Sequence, residues 1–121
     1  MTTFQNSIDY LLQKARFLSQ SYEEQTNTLT VLGDYITEDI ANDWIEQDLL
    51  LLQGLLQKGI ISPKALDLYR EIDSNFANAS YGRKLFEAKI WSLDGLKNHA
   101  FWAKQRELAR QLFLELQQAK F

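Results

Sequence analysis

The stretch from Thr37 to Lys58, TEDIANDWIEQDLLLLQGLLQK, limits the possible folds of this chain more than any other stretch. Its apolar side chains recur at helical spacing and fill one broad half of a helical wheel. Thr37 is a favourable N-cap, and Gly59 stands where a glycine often ends a helix. We therefore predict one long helix with a leucine-rich face toward the core and an acidic face opposite. The apolar face comprises Ile40, Ala41, Trp44, Ile45, Leu49, Leu51, Leu52, Leu55 and Leu56.

Two residues break this division, because Asp48 falls in the apolar half and Leu50 in the polar half. The simpler interpretation places each of them near a helix end or at the rim of a bundle, since single exposed apolar residues are common. The functional interpretation makes Leu50 a hydrophobic anchor flanked by carboxylates.

Helix signals recur along the rest of the chain, and only the Thr28–Val31 patch hints at a strand. Pairs such as Ser21 with Glu24 and Ser62 with Pro63 are typical helix starts. One proline and five glycines in 121 residues disfavour a loop-rich fold. We predict an all-α fold, a compact bundle of about five to six helices in a single domain over residues 1–121. The other helices are expected at about 4–18, 22–36 or a shorter part of it, from Pro63 to an end between Asn78 and Gly82, 92–96 after a Ser92 cap, and from Asn98 onward. A basic amphipathic segment is expected at 83–91.

Charge is strongly segregated along the sequence. Residues 17–57 contain eight carboxylates and no Lys or Arg, whereas the remaining residues hold all 13 basic side chains. Like charges four residues apart on a helix repel, and a cationic partner would relieve that repulsion and be steered to the surface. We predict a partner-binding surface with Asp39, Asp43 and Glu46 on one helical face. Its candidate contacts are Asp34, Tyr35, Glu38, Asp39, Asn42, Asp43, Glu46 and Leu50.

The residues needed for most catalytic sites are missing from the sequence. There is no cysteine, and His99 is the only histidine, which by its place near a helix start suggests a capping or surface role. No glycine-rich phosphate loop or calcium-loop pattern occurs. We therefore expect no enzyme activity, no metal and no cofactor. A net charge of −3 disfavours direct nucleic-acid binding, and the sequence shows neither a leader nor a membrane span, so a cytoplasmic protein is expected.

The second half of the chain contains four short patterns in this order: GLLQKGIIS over Gly54–Ser62, Ile72-Asp73-x-x-Phe76, Ile90-Trp91, and Trp102-x-x-x-Arg106-x-x-Ala109. Over residues 44–116 this arrangement of helix ends and apolar positions resembles small helical immunity proteins of bacterial polymorphic-toxin and contact-dependent growth-inhibition systems. The resemblance implies a non-enzymatic cytoplasmic protein that binds and neutralises a cognate toxin domain, often a basic nuclease.

Two other functions remain open at this point. The chain could be a helical adaptor or regulatory module, acting in a larger complex or as a homodimer, with its acidic side simply solvated. It could also be a DNA-mimic inhibitor, which would displace DNA from proteins unrelated to any neighbouring gene. The sequence leaves the oligomeric state and the identity of any toxin open.

Overall fold

The computed structural model describes residues 3–29 and 36–121, and these residues form α-helices and one turn of 3-10 helix, without a strand. The predicted all-α bundle is therefore confirmed. The helices are α1 (Thr3–Ser19), α2 (Tyr22–Leu29), α3 (Ile36–Asn42), α4 (Glu46–Gln57), α5 (Pro63–Asn78), the 3-10 helix (Ala88–Trp91), α6 (Leu93–Asn98) and α7 (Ala100–Gln117).

The C-terminal helix α7 packs against both α1 and α5, and α4 packs against α5. Trp102 of α7 is fully buried, and its indole N–H donates a hydrogen bond of 2.7 Å to the carbonyl oxygen of Ile90. Tyr69 and Leu11, from α5 and α1, are also buried in this core. The described helices thus share one apolar interior.

Four local start and stop signals, at Ser21, Gly59, Ser62 and Ser92, lie where the sequence predicts them. Ser21 and Glu24 form a reciprocal capping box at α2, with each side chain accepting a hydrogen bond from the other residue's backbone N–H. Gly59 has φ +72°, the left-handed conformation that ends α4. Ser62 precedes Pro63 at the start of α5, and the hydroxyl of Ser92 accepts a hydrogen bond of 2.9 Å from the backbone N–H of Gly95.

The predicted helix over residues 37–58 is wrong as a single element, because the chain leaves the helix between α3 and α4. Trp44 turns inward against Tyr69, with ring centroids 4.6 Å apart, and Ile45 is extended. The N–H of Ile45 donates to the Tyr69 hydroxyl at 3.1 Å, and the ammonium of Lys14 bonds the carbonyl oxygen of Asp43. Distant side chains thus satisfy backbone groups that the helix would otherwise satisfy.

Two further details correct the predicted helix ends. Thr37 lies inside α3 instead of capping it, and its hydroxyl donates to the carbonyl oxygen of Trp91 at 2.8 Å. The C-terminal helix begins at Ala100, after His99 as N-cap, whose Nδ1 accepts a hydrogen bond of 3.0 Å from the N–H of Phe101. His99 therefore has the predicted capping role. None of the helices in the described ranges is long and apolar enough to cross a membrane.

Candidate functional site

A polar cluster around the buried Asp48, the Asp48 cluster, holds the break between α3 and α4 in place. It consists of Tyr10, Lys14, Asp48 and Tyr69. Asp48 Oδ2 lies 2.5 Å from Lys14 Nζ and accepts a hydrogen bond of 2.6 Å from the hydroxyl of Tyr69. The hydroxyl of Tyr10 donates to Asp48 Oδ1 at 3.1 Å. The cluster therefore joins α1 and α5 to the first turn of α4.

The cluster shifts the pKa values of Lys14 and Tyr69. Burial disfavours the Lys14 ammonium, but the hydrogen bonds to Asp48 and Tyr10 outweigh it and raise the pKa of Lys14 above its ordinary value. Burial and the hydrogen bond to Asp48 strongly raise the pKa of Tyr69, so this hydroxyl stays protonated as a donor. Asp48 lies in the first turn of α4, as one interpretation expected, but it is only 3% exposed and so does not lie at a solvated rim.

The break also changes where the predicted contact residues lie. Asp39 belongs to α3, Asp43 to the turn and Glu46 to the first position of α4, so the predicted single helical face is wrong. The residues on either side of the break are nevertheless rich in carboxylates, and we call this region the acidic surface. It comprises Glu38 and Asp39, both partly exposed, and Asn42, Asp43 and Glu46, all exposed. Asp34 and Tyr35 lie outside the described residues.

The carboxylates of the acidic surface have no ion-pair partner within the described chain. All ion pairs among the described residues involve other acidic side chains. The ammonium of Lys14 lies nearby, but it pairs with the carboxylate of Asp48 and donates to the backbone carbonyl oxygen of Asp43. The residues that the structure does not describe, 1–2 and 30–35, contain no basic side chain. The described residues therefore supply no ion pair to this surface.

An open groove lies beside this surface, between α3 and α5, with a volume of about 670 Å³. We call it the aromatic groove. Trp44, Phe76 and Trp91 line it together with the polar residues Glu38, Asn42 and Asp73, and the strongly exposed Tyr81. Trp44 is 6% exposed, so it is a core residue that also contributes to this wall. Two of the predicted contact residues, Glu38 and Asn42, thus face a concave site.

Asp73 lines the groove but is not among the contact residues predicted from the sequence, where it appears only in the Ile72-Asp73-x-x-Phe76 pattern. It lies on α5 four residues after Tyr69 and three before Phe76, which places it within an otherwise buried stripe. Partial burial raises its pKa, and the charges of Glu46 and Asp48 raise it further. An acidic residue at helical spacing between two inward-facing aromatic residues was the available signal.

Among the described residues, no group of three or more His, Cys, Asp or Glu side chains comes together that could hold a metal ion.

Leu50 is 63% exposed on α4, four residues after Glu46, so the two share one face of that helix.

Comparisons of the chain with protein-family models, with characterised proteins and with solved structures find no match.

Proposed function

We propose that this chain is a non-enzymatic immunity protein that binds and neutralises a basic toxin domain through the acidic surface. The observation that carries the proposal is the absence of any ion-pair partner, within the described residues, for Glu38, Asp39, Asp43 and Glu46. A cationic partner would relieve this repulsion on binding, and the field would steer the partner toward the surface.

A nuclease-type toxin suits this surface best. Nucleases bind a polyanion, so their substrate-binding face is positively charged, and a protein surface of unpaired carboxylates competes with nucleic acid for it. The exposed Leu50 beside Glu46 adds an apolar contact amid the charge. Interfaces of this kind draw much of their affinity from a few apolar or aromatic anchors surrounded by polar residues.

The test is a pull-down of the C-terminal domain encoded by the gene immediately upstream, with this protein as bait, at low and at high salt. We expect a stable complex that weakens as salt rises, because salt screens exposed charges. A complex that is indifferent to salt would place the interface elsewhere. Failure to form a complex at either salt would contradict neutralisation of that toxin and favour an adaptor.

Charge reversal locates the interface within the same assay. The variant Asp43→Lys/Glu46→Lys should abolish protection of cells that express the toxin, while circular dichroism shows an unchanged helix content. The matched control is Asp67→Lys/Glu71→Lys, which reverses two exposed acids four residues apart on α5. Protection by the first variant equal to that by the control would exclude the acidic surface.

A further inference from the structure

We propose that the aromatic groove receives an arginine side chain of the partner protein, between Glu38 and Asp73. This inference rests on the proposed function, because it names the part of the partner that meets one end of the acidic surface. The groove itself can be tested without the partner, so that the two proposals can fail separately.

The charged side chains that line the aromatic groove are all acidic. The ionisable side chains that line the aromatic groove are Glu38, Asp73 and Tyr81, and no Lys, Arg or His is among the described lining residues. Glu46 and Asp48 add negative charge around Asp73, and no described cation pairs with Asp73. A concave site with carboxylates alone as its charged groups is complementary to a cation.

The aromatic lining decides which kind of cation fits. A guanidinium is planar and stacks on aromatic rings, and tryptophan is the most favourable ring for a cation. Both groove tryptophans are held in place before any ligand arrives. The indole N–H of Trp91 donates to the carbonyl oxygen of Ala79 at 2.9 Å, and Trp44 packs against Tyr69. A preformed site loses little conformational entropy on binding.

The position of the Asp73 carboxylate costs free energy that no contact within the described fold offsets. The carboxylate is partly withdrawn from water and repelled by neighbouring acids, which raises its pKa. A guanidinium placed beside it would offset both effects and can bond a carboxylate through two parallel N–H groups. The same geometry offers little to a neutral segment, which would leave the carboxylate desolvated.

The experiment uses the full chain labelled with nitrogen-15 and a blocked tripeptide, acetyl-Gly-Arg-Gly-amide, as the probe. The matched probe contains citrulline, which has nearly the same shape without the charge. The indole N–H signals of the three tryptophans report on the site, and the fully buried Trp102, outside the groove lining, is the internal control. We expect saturable shifts for Trp44 and Trp91 with arginine, and affinity about tenfold weaker with citrulline.

Two variants complete the test. Asp73→Asn should weaken binding of the arginine peptide about tenfold, whereas Asp67→Asn, which removes an exposed acid from the same helix, should leave it unchanged. Glu38→Gln, which removes the carboxylate on the α3 side of the groove, should weaken binding of the arginine peptide as well. Equal binding of the citrulline peptide, wild-type affinity of the Asp73→Asn variant, or unmoved Trp44 and Trp91 signals would each overturn the inference. A pull-down that finds no toxin complex would instead count against the proposed function alone.

Discussion

The hydroxyl of Tyr69 donates a hydrogen bond of 2.6 Å to Asp48, from the middle of α5 to the first turn of α4. The same hydroxyl oxygen accepts a hydrogen bond from the N–H of Ile45, the N-cap residue of α4. The Tyr69 side chain therefore holds the N-cap residue of α4 in place and donates a hydrogen bond to the buried carboxylate of Asp48. Lys14 completes the arrangement from α1 with the compensating positive charge.

Lys14→Met is expected to destabilise the protein by about 3 kcal/mol, because it leaves the Asp48 carboxylate buried without its cation. Urea denaturation at neutral pH measures the loss. Lys64→Met is the matched control, since Lys64 is exposed on α5, and it should change the free energy of unfolding by no more than about 0.5 kcal/mol.

The double variant Lys14→Met/Asp48→Leu separates the ion pair from simple packing. Removing both charges should cost less than the sum of the two single substitutions, because neither charge then remains buried and unpaired. Additive effects within about 0.5 kcal/mol would mean that the two charges are not coupled.

Asp73→Asn is expected to stabilise the protein at neutral pH while it weakens binding of a cation. The native pKa of Asp73 is raised by burial and by Glu46 and Asp48, so the charged form is disfavoured in the folded state. The gain should be fully present above the native pKa and should disappear as pH falls toward the unfolded value of about 3.9. We expect about 0.5 kcal/mol after solvent screening, measured by urea denaturation between pH 3 and pH 8. A gain that grows as the pH falls would contradict this assignment.

Local signals predicted much of the fold because the groups that produce them are close in sequence. The Ser21–Glu24 capping box, Pro63 and the left-handed Gly59 each act within about one turn of a helix. The break between α3 and α4 depends instead on Lys14 and Tyr69, which lie 29 and 24 residues from their backbone partners. A helical wheel contains no such contacts, and it therefore predicts a continuous helix.

The candidate site was predictable in part for the same reason. Charge segregation identified Glu38, Asn42 and Glu46, and all three lie at the surface or in the groove wall. The aromatic groove was not predictable, because its lining comes from α3, α5 and the segment 80–91, which only the fold brings together. Asp73 becomes a candidate once Trp44 and Trp91 are seen beside it.

Gly95→Ala is expected to be strongly destabilising, by about 3 kcal/mol, because a β-carbon there would lie 1.7 Å from the carbonyl oxygen of Lys89. That carbonyl belongs to the 3-10 helix that carries Trp91, so the indole N–H signal of Trp91 should also move. Gly54→Ala is the matched control: a β-carbon at Gly54 would meet nothing within 4 Å, and alanine in the last turn of α4 should stabilise by about 0.5 kcal/mol. Thermal unfolding of the two variants should shift in opposite directions.

Leu50→Ala is expected to weaken binding of the toxin domain about tenfold, because it removes an apolar anchor beside the acidic surface. The free energy of unfolding should change by no more than about 0.5 kcal/mol, because the side chain is 63% exposed and contributes little to the core. Surface plasmon resonance at two salt concentrations measures the change, which should appear mainly in the dissociation rate and should depend little on salt. Leu114→Ala is the matched control, an exposed leucine on α7 away from the α3–α4 break. Equal losses for the two variants would mean that Leu50 is not an anchor, and a loss confined to Leu50 would extend the interface from the acidic surface along α4.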